Sequence, residues 1–332
     1  MTETTPIRWG ILATGAIANA FTEDLALLAD AVVVAVGSRS LDAARAFAGR
    51  HGIARAHGSW RELAEDPDVD VVYVATPHSA HHLAASMCLQ AGKAVLCEKP
   101  LTLDAARAQD LIATARAHGV FLMEAMWTRA NPVVRRLVGL VGGGAIGEVT
   151  GLSADFGIAG PVAPGHRLRA PELGGGALLD LGVYLVTFAH LFLGEPRTVS
   201  AVATLTPEGT DQNTALILGY DSGALASLQC GFVGETGHRA VLTGTAGRIE
   251  VPRHFYRPDG FTLVHGEQVE EFTLPLRGNG LGYQAEEVMR CLRAGLVESP
   301  LIPHAATLAV MRVLDAARAQ IGVSYPADPV TT

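Results

Sequence analysis

The chain has 332 residues, more than a single hydrophobic core usually accommodates, so two domains are expected. Apolar residues make up 49% of the sequence and charged residues 17%, which excludes a largely disordered chain. The formal net charge of −8 argues against nucleic acid or an anionic membrane as the main partner.

Cysteine usage and the N-terminus favour a cytoplasmic protein. The four cysteines form no CxxC pair and no disulfide-framework spacing, which is typical of reduced, packed thiols. No basic segment followed by an apolar core begins the chain, so no signal peptide is predicted. Residues 176–194 approach the length of a membrane span, but Asp180 and His190 would be costly in lipid. A buried helix is predicted there.

Up to about residue 124, short apolar runs alternate with helical segments. The runs are rich in β-branched residues and end at turn or charged residues, as buried strands do. The predicted strands are 7–12, 31–37, 69–76, 94–97 and 120–125. The predicted helices are 16–29, 41–51, 79–92 and 103–119. This alternation predicts a parallel sheet with helices on both faces, in an α/β domain spanning residues 1–124.

The pattern changes after a helix near 131–140. Strand-like runs follow one another from about 147 to 272, separated by turn signals such as "YDSG" and "GTAG", which predicts an antiparallel sheet with hairpins. The predicted strands are 148–157, 197–205, 213–220, 223–232, 238–244 and 247–251. Only a helix over 174–194 interrupts them, and two helices, 280–295 and 304–322, close the chain. Residues 125–332 are therefore predicted to form a second domain.

The first strand runs into "GILATGAIANAF", in which small residues bracket a turn into a helix. Such a turn lets a dinucleotide pyrophosphate approach the N–H groups at the helix N-terminus. Ala13 takes the first glycine position of the G-x-G-x-x-G/A pattern, so the motif alone is weak and a tight turn without ligand would also fit. Its place after the first strand favours nucleotide binding. The predicted contacts are Gly10, Ala13, Thr14, Gly15, Ala16 and Ile17.

The second strand ends in "VGSRS", without an acidic residue until Asp42. An acid there would bind a free ribose 2′-hydroxyl, whereas Arg39 neutralises a 2′-phosphate and the Ser38 hydroxyl donates to it. NADP is therefore predicted, with NAD as the alternative cofactor. Ser40 is predicted to cap the next helix, which does not compete with phosphate binding. The alternative is that Arg39 is simply solvated and binds no phosphate.

The run "AVLC" ends in Glu98, Lys99 and Pro100. Ligands bind open parallel sheets beyond the carboxyl ends of the strands, and a proline restricts the backbone of the residue before it. Lys99 is therefore predicted to direct its ammonium group at a substrate, and Glu98 to hold the loop or the nicotinamide amide. A surface Glu-Lys pair is the alternative.

Five stretches resemble the Gfo/Idh/MocA oxidoreductase family over nearly the whole chain: "GILATGAIA", "ATPHSAHH", "CEKPLT", "MEAMWTR" and "LGGGALLDLGVY". The dimeric dihydrodiol dehydrogenases and NADP-dependent D-xylose dehydrogenases are the most similar branch. The resemblance implies a Rossmann domain and an α+β domain with an open-faced, mostly antiparallel sheet that forms homodimers or homotetramers. It implies hydride transfer between NADP and a secondary alcohol or hemiacetal carbon of a sugar, cyclic polyol or dihydrodiol. It also implies a cis Lys99–Pro100 bond.

The stretch "GGGALLDLGVYLV" is apolar nearly all round, which predicts a buried helix. Asp180 and Tyr184 are spaced i, i+4 and so share a face. A buried carboxylate needs a partner, and the resemblance suggests Lys99. Tyr184 matches the acid/base position of the similar branch, and a phenol acts as a base when a neighbouring cation lowers its pKa.

Many members of the family carry histidine at the position of Tyr184, so two assignments stay open. Tyr184 carries the proton with Lys99 as its electrostatic helper, or Lys99 carries the proton itself; we favour the first. A core tyrosine with a hydrogen-bonded tip is the structural alternative.

The remaining candidates are polar residues near the same strand ends. The predicted cofactor contacts here are Thr76, Pro77, His78 and His81, and the resemblance adds Trp127 and Arg129. Arg167 is a predicted substrate contact, although a loop arginine is more often solvated, and the resemblance implies Tyr283 as a second substrate contact. The histidines of "HSAHH" lack the partners that a metal site needs, so no metal is predicted. A catalytically silent NADP-binding regulatory protein is the competing interpretation, and the joint presence of Lys99, Asp180 and Tyr184 favours the enzyme.

Overall fold

The computed structural model describes residues 5–326. Its helices are α1 (Ala16–Leu25), α2 (Leu41–His51), α3 (Trp60–Ala64), α4 (His81–Gln90), α5 (Ala105–His118), α6 (Trp127–Ala130), α7 (Pro132–Gly142), α8 (Val183–Leu193), α9 (Gly282–Arg293) and α10 (His304–Ile321). Its strands are β1 (Ile7–Leu12), β2 (Ala31–Gly37), β3 (Arg55–His57), β4 (Val71–Val74), β5 (Ala94–Glu98), β6 (Leu122–Ala125), β7 (Val149–Gly157), β8 (Thr198–Leu205), β9 (Asp211–Gly219), β10 (Leu225–Gly231), β11 (Ala240–Gly244), β12 (Arg248–Val251), β13 (Gly260–His265) and β14 (Gln268–Thr273).

The described residues divide into two compact units. The first comprises residues 5–102, 106–127 and 277–307, and the second comprises the rest. The segment 277–307 thus packs with the first unit. The predicted division after residue 124 assigns the same segment to the second domain. The boundary between independently folding domains stays a prediction.

The first unit contains a six-stranded parallel sheet in the order β3-β2-β1-β4-β5-β6. The chain runs outward from β1 to β3, then returns to β4 on the other side of β1. This reversal puts the topological switch point of the sheet between β1 and β4, where such folds bind dinucleotides. Strands β4 and β5 are buried along their whole length, as their apolar runs predict.

The second unit contains an eight-stranded sheet in the order β14-β13-β12-β11-β7-β10-β9-β8. Every pair is antiparallel except β7 with β10, so the predicted mostly antiparallel sheet is confirmed. Helix α8 and the π-helical turn Leu178–Gly182 before it pack on β7 and β10. Burial alternates along β9 and β10, which leaves the opposite face of these strands open.

One helical stretch, Pro171–Leu193, is long and apolar enough to cross a membrane, and 78% of its most apolar window is buried inside the protein. The predicted buried helix is thus confirmed, although it does not run uniformly from residue 174. It begins with a 3₁₀ turn (Pro171–Leu173) and the π-helical turn, and becomes α-helical at Val183. All four cysteines are buried as free thiols, as predicted.

Candidate functional site

The turn between β1 and α1 leaves the N-terminus of the helix open. Gly15 occupies the N-cap position without a side-chain cap, and a Cβ added there would meet no protein atom within 4 Å. Gly15, Ala16 and Ile17 are exposed. The first N–H groups of a helix lack intrahelical acceptors and carry the positive end of its dipole. The turn therefore has room and partial charge for a pyrophosphate.

Two other residues of this motif have structural reasons to be small. Gly10 is buried in β1, and a Cβ there would lie 3.0 Å from Val69 Cγ1 and 3.2 Å from Leu63 Cδ1. Ala13 has a φ of 88° and donates its N–H to the Gly37 carbonyl at 2.9 Å. Contact of these residues, or of the half-buried Thr14, with a cofactor stays a prediction.

At the end of β2, the predicted phosphate-binding residues lie beside a tryptophan. Ser40 Oγ accepts a hydrogen bond from Ala43 N at 3.3 Å, which confirms the predicted cap of α2. Ser38 Oγ accepts from Ser40 N at 3.3 Å. The Arg39 guanidinium is exposed and lies over the Trp60 ring, 5.8 Å from its centroid.

The segment after β4 contains a buried hydroxyl and a buried histidine. Thr76 Oγ1 has no hydrogen-bond partner among the described atoms. The two ring nitrogens of His81 lie 2.9 Å from the carbonyl oxygens of Thr76 and Pro100, so His81 joins the chain after β4 to the chain after β5. Burial lowers the pKa of His81 to about 3. His78, after Pro77, is buried at 5.6 Å from the His81 ring.

The loop that carries Lys99 is fixed by buried carboxylates. The Lys99–Pro100 bond is cis, as the resemblance implied. Glu98 accepts hydrogen bonds from the Tyr73 hydroxyl and, at 3.2 Å, from Lys99 N. The Tyr73 ring stacks on Phe21 with centroids 3.9 Å apart. Glu98 is therefore a part of the loop support, and its contact with nicotinamide stays a prediction.

A second carboxylate holds the other side of the same loop. Glu124 accepts from Leu101 N at 3.1 Å and from the Thr307 hydroxyl at 2.8 Å, and it is 5% exposed. The sequence predictions did not include Tyr73 or Glu124. A hydroxyl and a carboxylate within otherwise apolar strand runs were the available signal, because buried polar groups need partners.

In the second unit, Asp180 pairs with a residue that was predicted to face substrate. Arg167 Nη1 and Nη2 donate to the two Asp180 oxygens at 3.3 and 3.0 Å. The Asp180 side chain is 8% exposed and that of Arg167 is 52% exposed. Arg167 is thus an ion-pair partner of the buried carboxylate, while half of its side chain remains exposed to solvent. The pairing of Asp180 with Lys99, and substrate binding by Arg167, stay predictions.

Tyr184 is surrounded by aromatic rings that the sequence predictions did not include. Its ring centroid lies 5.6 Å from that of Phe156 and 5.5 Å from that of Tyr256. Phe156 and Tyr256 stack at 4.3 Å with an interplanar angle of 8°. The Thr128 hydroxyl donates to the Tyr256 carbonyl at 2.6 Å and holds the segment in place. These rings come from separate strands and loops, so sequence spacing gave no signal for them.

Two of the three remaining predicted residues, Arg129 and Tyr283, have identified hydrogen-bond partners. Arg129, in the second unit, donates to His190 Nδ1 at 3.0 Å. Burial, followed by the Arg129 charge, lowers the pKa of His190 to about 4. Tyr283, in the first unit, accepts at its hydroxyl from Arg277 N at 3.1 Å. Trp127 is the last residue of its segment in the first unit. Cofactor or substrate contact by these residues stays a prediction.

Among residues 5–326, no group of three histidine, cysteine or acidic side chains is placed to hold a metal ion. His82, in "HSAHH", instead lies with Nε2 2.7 Å from Asp110 Oδ2.

These features fit a dinucleotide. The uncapped helix N-terminus at Gly15 fits a pyrophosphate, and the exposed guanidinium of Arg39 fits a further phosphate group. The orphaned Thr76 hydroxyl lies after β4, beside the switch point of the sheet, where a polar ligand atom would satisfy it.

Comparisons with known proteins agree with this fold. Residues 7–126 match the model of the oxidoreductase family with an NAD-binding Rossmann fold, and residues 134–250 match the GFO/IDH/MocA C-terminal domain. The chain is 42% identical over 330 residues to a trans-1,2-dihydrobenzene-1,2-diol dehydrogenase of Xenopus tropicalis, covering 96% of this chain and 99% of that protein. A mouse (Mus musculus) enzyme of the same name is 39% identical over 336 residues, covering 97% and 99%.

Solved structures share the fold. KijD10, a 3-ketoreductase from Actinomadura kijaniata in complex with NADP and TDP-benzene, superposes with a TM-score of 0.85 at 30% identity, covering 96% of this chain and 98% of that one. An aldose-aldose oxidoreductase from Caulobacter crescentus has a TM-score of 0.86 at 24% identity, covering 95% and 97%, and supports the fold alone. With an NAD(P)-binding Rossmann unit, an open-faced sheet unit and full-length relatives, this chain belongs to the Gfo/Idh/MocA family of oxidoreductases.

Proposed function

We propose that the protein is an NADP-dependent dehydrogenase or reductase acting on a secondary alcohol or hemiacetal carbon of a cyclic diol, polyol or sugar. The observation that carries the proposal is the rigid support of Lys99. Tyr73, Glu98, Glu124 and His81 hold the chain on both sides of a cation that follows a buried strand. A surface lysine needs no such support, whereas a lysine that must meet a reacting oxygen does.

The cofactor residues follow from the features of the first unit. The N–H groups after Gly15 would bind the pyrophosphate, and Ser38 and Arg39 the 2′-phosphate. The Thr76 hydroxyl would bind a polar atom of the cofactor beside the switch point. NADP, when bound, supplies the nicotinamide carbon that accepts or donates the hydride. The relative KijD10 was crystallised with NADP, which supports this choice.

The proton chemistry is assigned to Lys99 and Tyr184. Lys99 would donate a hydrogen bond to the substrate oxygen and stabilise negative charge on it. The Tyr184 phenolate would take the alcohol proton during oxidation, and the protonated phenol would return it during reduction. Asp180 and its ion-pair partner Arg167 would be the remaining charged groups near the reacting atoms. Proton transfer by Lys99 itself is the alternative assignment.

The substrate class is inferred from the rings around Tyr184. Phe156 and Tyr256 form a stacked pair beside the phenol, so a flat or unsaturated ring would find apolar contact there. The names of the relatives, which specify a dihydrobenzene diol, support a cyclic diol. Sugars and inositols are the neighbouring classes to test.

We further propose a homodimer or homotetramer formed through the open face of the second sheet. Val202, Ile217 and Leu225 lie on this face, where they are 70%, 47% and 59% exposed. Strand register puts them on one side, because Val202 is opposite Ala215 and Leu225 is opposite Gly219, and both partners lie two residues from Ile217 along β9. Exposed apolar clusters of this kind mark association surfaces. The cytoplasm is the proposed compartment, because all four cysteines are buried thiols.

The proposal is tested by incubating the purified protein with NADP⁺ or NAD⁺ and trans-1,2-dihydrobenzene-1,2-diol, D-xylose or myo-inositol. Formation of reduced nicotinamide, followed by its absorbance, is expected with NADP⁺ and at least one cyclic substrate. Tight NADPH binding with no turnover on any alcohol, or on the corresponding ketones in the reverse direction, would instead identify a silent cofactor-binding protein.

A further inference from the structure

We infer that Trp60 is a positioning residue for Arg39 and thereby contributes to the discrimination of NADP from NAD. The inference rests on the proposed function, in which Arg39 binds the 2′-phosphate. It concerns a residue outside the phosphate-binding turn, contributed by a short helix that follows β3.

Trp60 is held at the first position of α3 by its capping residues. Ser59, the N-cap, accepts at its hydroxyl from Glu62 N at 3.1 Å. Glu62 Oε2 in turn accepts from Gly58 N at 2.9 Å. The first bond satisfies an N–H group of the first helical turn and the second an N–H group just before the N-cap, an arrangement similar to a capping box that fixes the backbone on both sides of Trp60.

Helix α3 is docked directly on β2, the strand that leads to Arg39. A Cβ added at Gly37 would lie only 2.7 Å from Leu63 Cβ, so the glycine permits a close approach of the helix. Ser38 N donates to the His57 carbonyl at 3.2 Å, which joins the end of β2 to β3. The backbones that carry Arg39 and Trp60 are therefore fixed relative to each other.

The Arg39 guanidinium has the Trp60 ring as its contact. Its carbon lies 5.8 Å from the ring centroid, within the range of about 6 Å for a cation–π interaction. No carboxylate within residues 5–326 forms a salt bridge with Arg39. A guanidinium that contacts a ring rather than a carboxylate keeps its N–H groups available for a phosphate. Trp60 would thus limit the rotamers of a long, exposed side chain before the cofactor arrives.

The 2′-phosphate is the group that NADPH has and NADH lacks, so this role predicts a ligand-dependent effect. Titrations of Trp60→Ala, Trp60→Phe, Arg39→Ala and the double variant with NADPH and with NADH, followed by nicotinamide fluorescence, test it. Trp60→Ala should weaken NADPH binding about two- to fivefold and leave NADH binding unchanged. Trp60→Phe should restore most of the loss, and the double variant should bind NADPH no more weakly than Arg39→Ala.

Equal weakening of both cofactors by Trp60→Ala would mean a general structural role and would overturn the inference. Unchanged NADPH binding in that variant would also overturn it, while the proposed function would stand if Arg39→Ala still weakened NADPH selectively. If Arg39→Ala left both cofactors unaffected, the proposed NADP preference would fail together with the inference.

Discussion

Ala13 occupies a position at which dinucleotide-binding turns usually carry glycine, and its φ of 88° gives the reason for that usage. A side chain in this region of backbone conformation meets its own backbone, at a cost of about 1–2 kcal/mol. The imperfect match of the motif at this residue therefore corresponds to strain in the folded protein.

Ala13→Gly is expected to raise the free energy of unfolding by about 0.5–1 kcal/mol, because the relief of strain exceeds the added entropy of the unfolded glycine. Urea unfolding would measure the change. Ala20→Gly, within α1, is the matched control and should lower stability by about 1 kcal/mol. A loss of stability in Ala13→Gly as large as in the control would contradict the strain.

The lowered pKa of His190 predicts that the free energy of unfolding depends on pH. Its pKa is lowered from 6.5 to about 4 in the folded protein. As pH falls from 6.5 towards 4, the unfolded chain takes up a proton at His190 that the folded chain does not, so stability is lost over that range. The expected loss is about 1–3 kcal/mol.

Urea unfolding at about pH 7 and about pH 4.5 would measure this loss, and His190→Gln should show a smaller decrease between the two. His118→Gln, at the exposed end of α5, should behave like the parent protein. An identical pH dependence of the parent protein and His190→Gln would show that His190 does not contribute.

Sequence reasoning at this scale identified residues better than it identified their partners. Lys99 and Arg39 follow strand ends, and that is a local property of the chain. The pairing of Asp180 with Arg167 crosses 13 positions without a periodic element between them, and the support of Lys99 by Glu124 joins two strands. Such contacts depend on which distant segments of the chain pack together, and the spacing of residues along the sequence does not encode that.

At the scale of elements, the periodic spacing of apolar residues and the helix-capping residues predicted the positions of most strands and helices. Strand β2 and helix α2 have the predicted bounds, and Ser40 provides the cap. Strand β3 and helix α3 were missed, because three and five residues are too short for a period and β3 contains Arg55 and His57. The π-helical turn at Leu178–Gly182 was also missed, since its composition is that of an α-helix.

The entry to that turn depends on a glycine. Gly176 has a φ of 118°, and a Cβ there would lie 2.2 Å from Asp211 Oδ1. The buried Asp211 carboxylate accepts from Leu178 N at 2.7 Å and so anchors the start of the helical stretch. Strain and overlap would therefore act together on any side chain at this position.

Gly176→Ala is expected to lower the free energy of unfolding by about 2–4 kcal/mol, measured by urea unfolding. Gly223→Ala is the matched control, because it has a φ of 87° but no atom within 4 Å of the added Cβ. The control should cost about 1 kcal/mol. Equal losses in the two variants would mean that the overlap with Asp211 is relieved without cost.

At the scale of the whole molecule, the two sheets were predictable, whereas the chain segments that complete each unit were not. The segment 277–307 joins the first unit through Asp24, which accepts from Asn279 N and Leu281 N at 2.7 Å each. These residues are about 255 positions apart in the chain, so no local pattern reports the contact.

The open face of the second sheet predicts the assembly state. Ile217→Lys would introduce a charge in the middle of the proposed interface, where desolvating it is costly. Light scattering after size exclusion should show a dimer or tetramer for the parent protein and a smaller species for the variant. Leu27→Lys, at a residue 54% exposed in the first unit, should leave the mass unchanged. A monomeric parent protein would contradict the proposed interface.

The most direct test of the proposed chemistry is the turnover number of Lys99→Met on a substrate that the parent protein oxidises, with NADPH affinity measured in parallel. Methionine keeps the length of the side chain and removes its charge and hydrogen bonds. We predict a kcat lower by about a hundredfold to ten-thousandfold with NADPH binding nearly unchanged. Full turnover in this variant would contradict a catalytic role for Lys99 and, with it, the mechanism proposed for this enzyme.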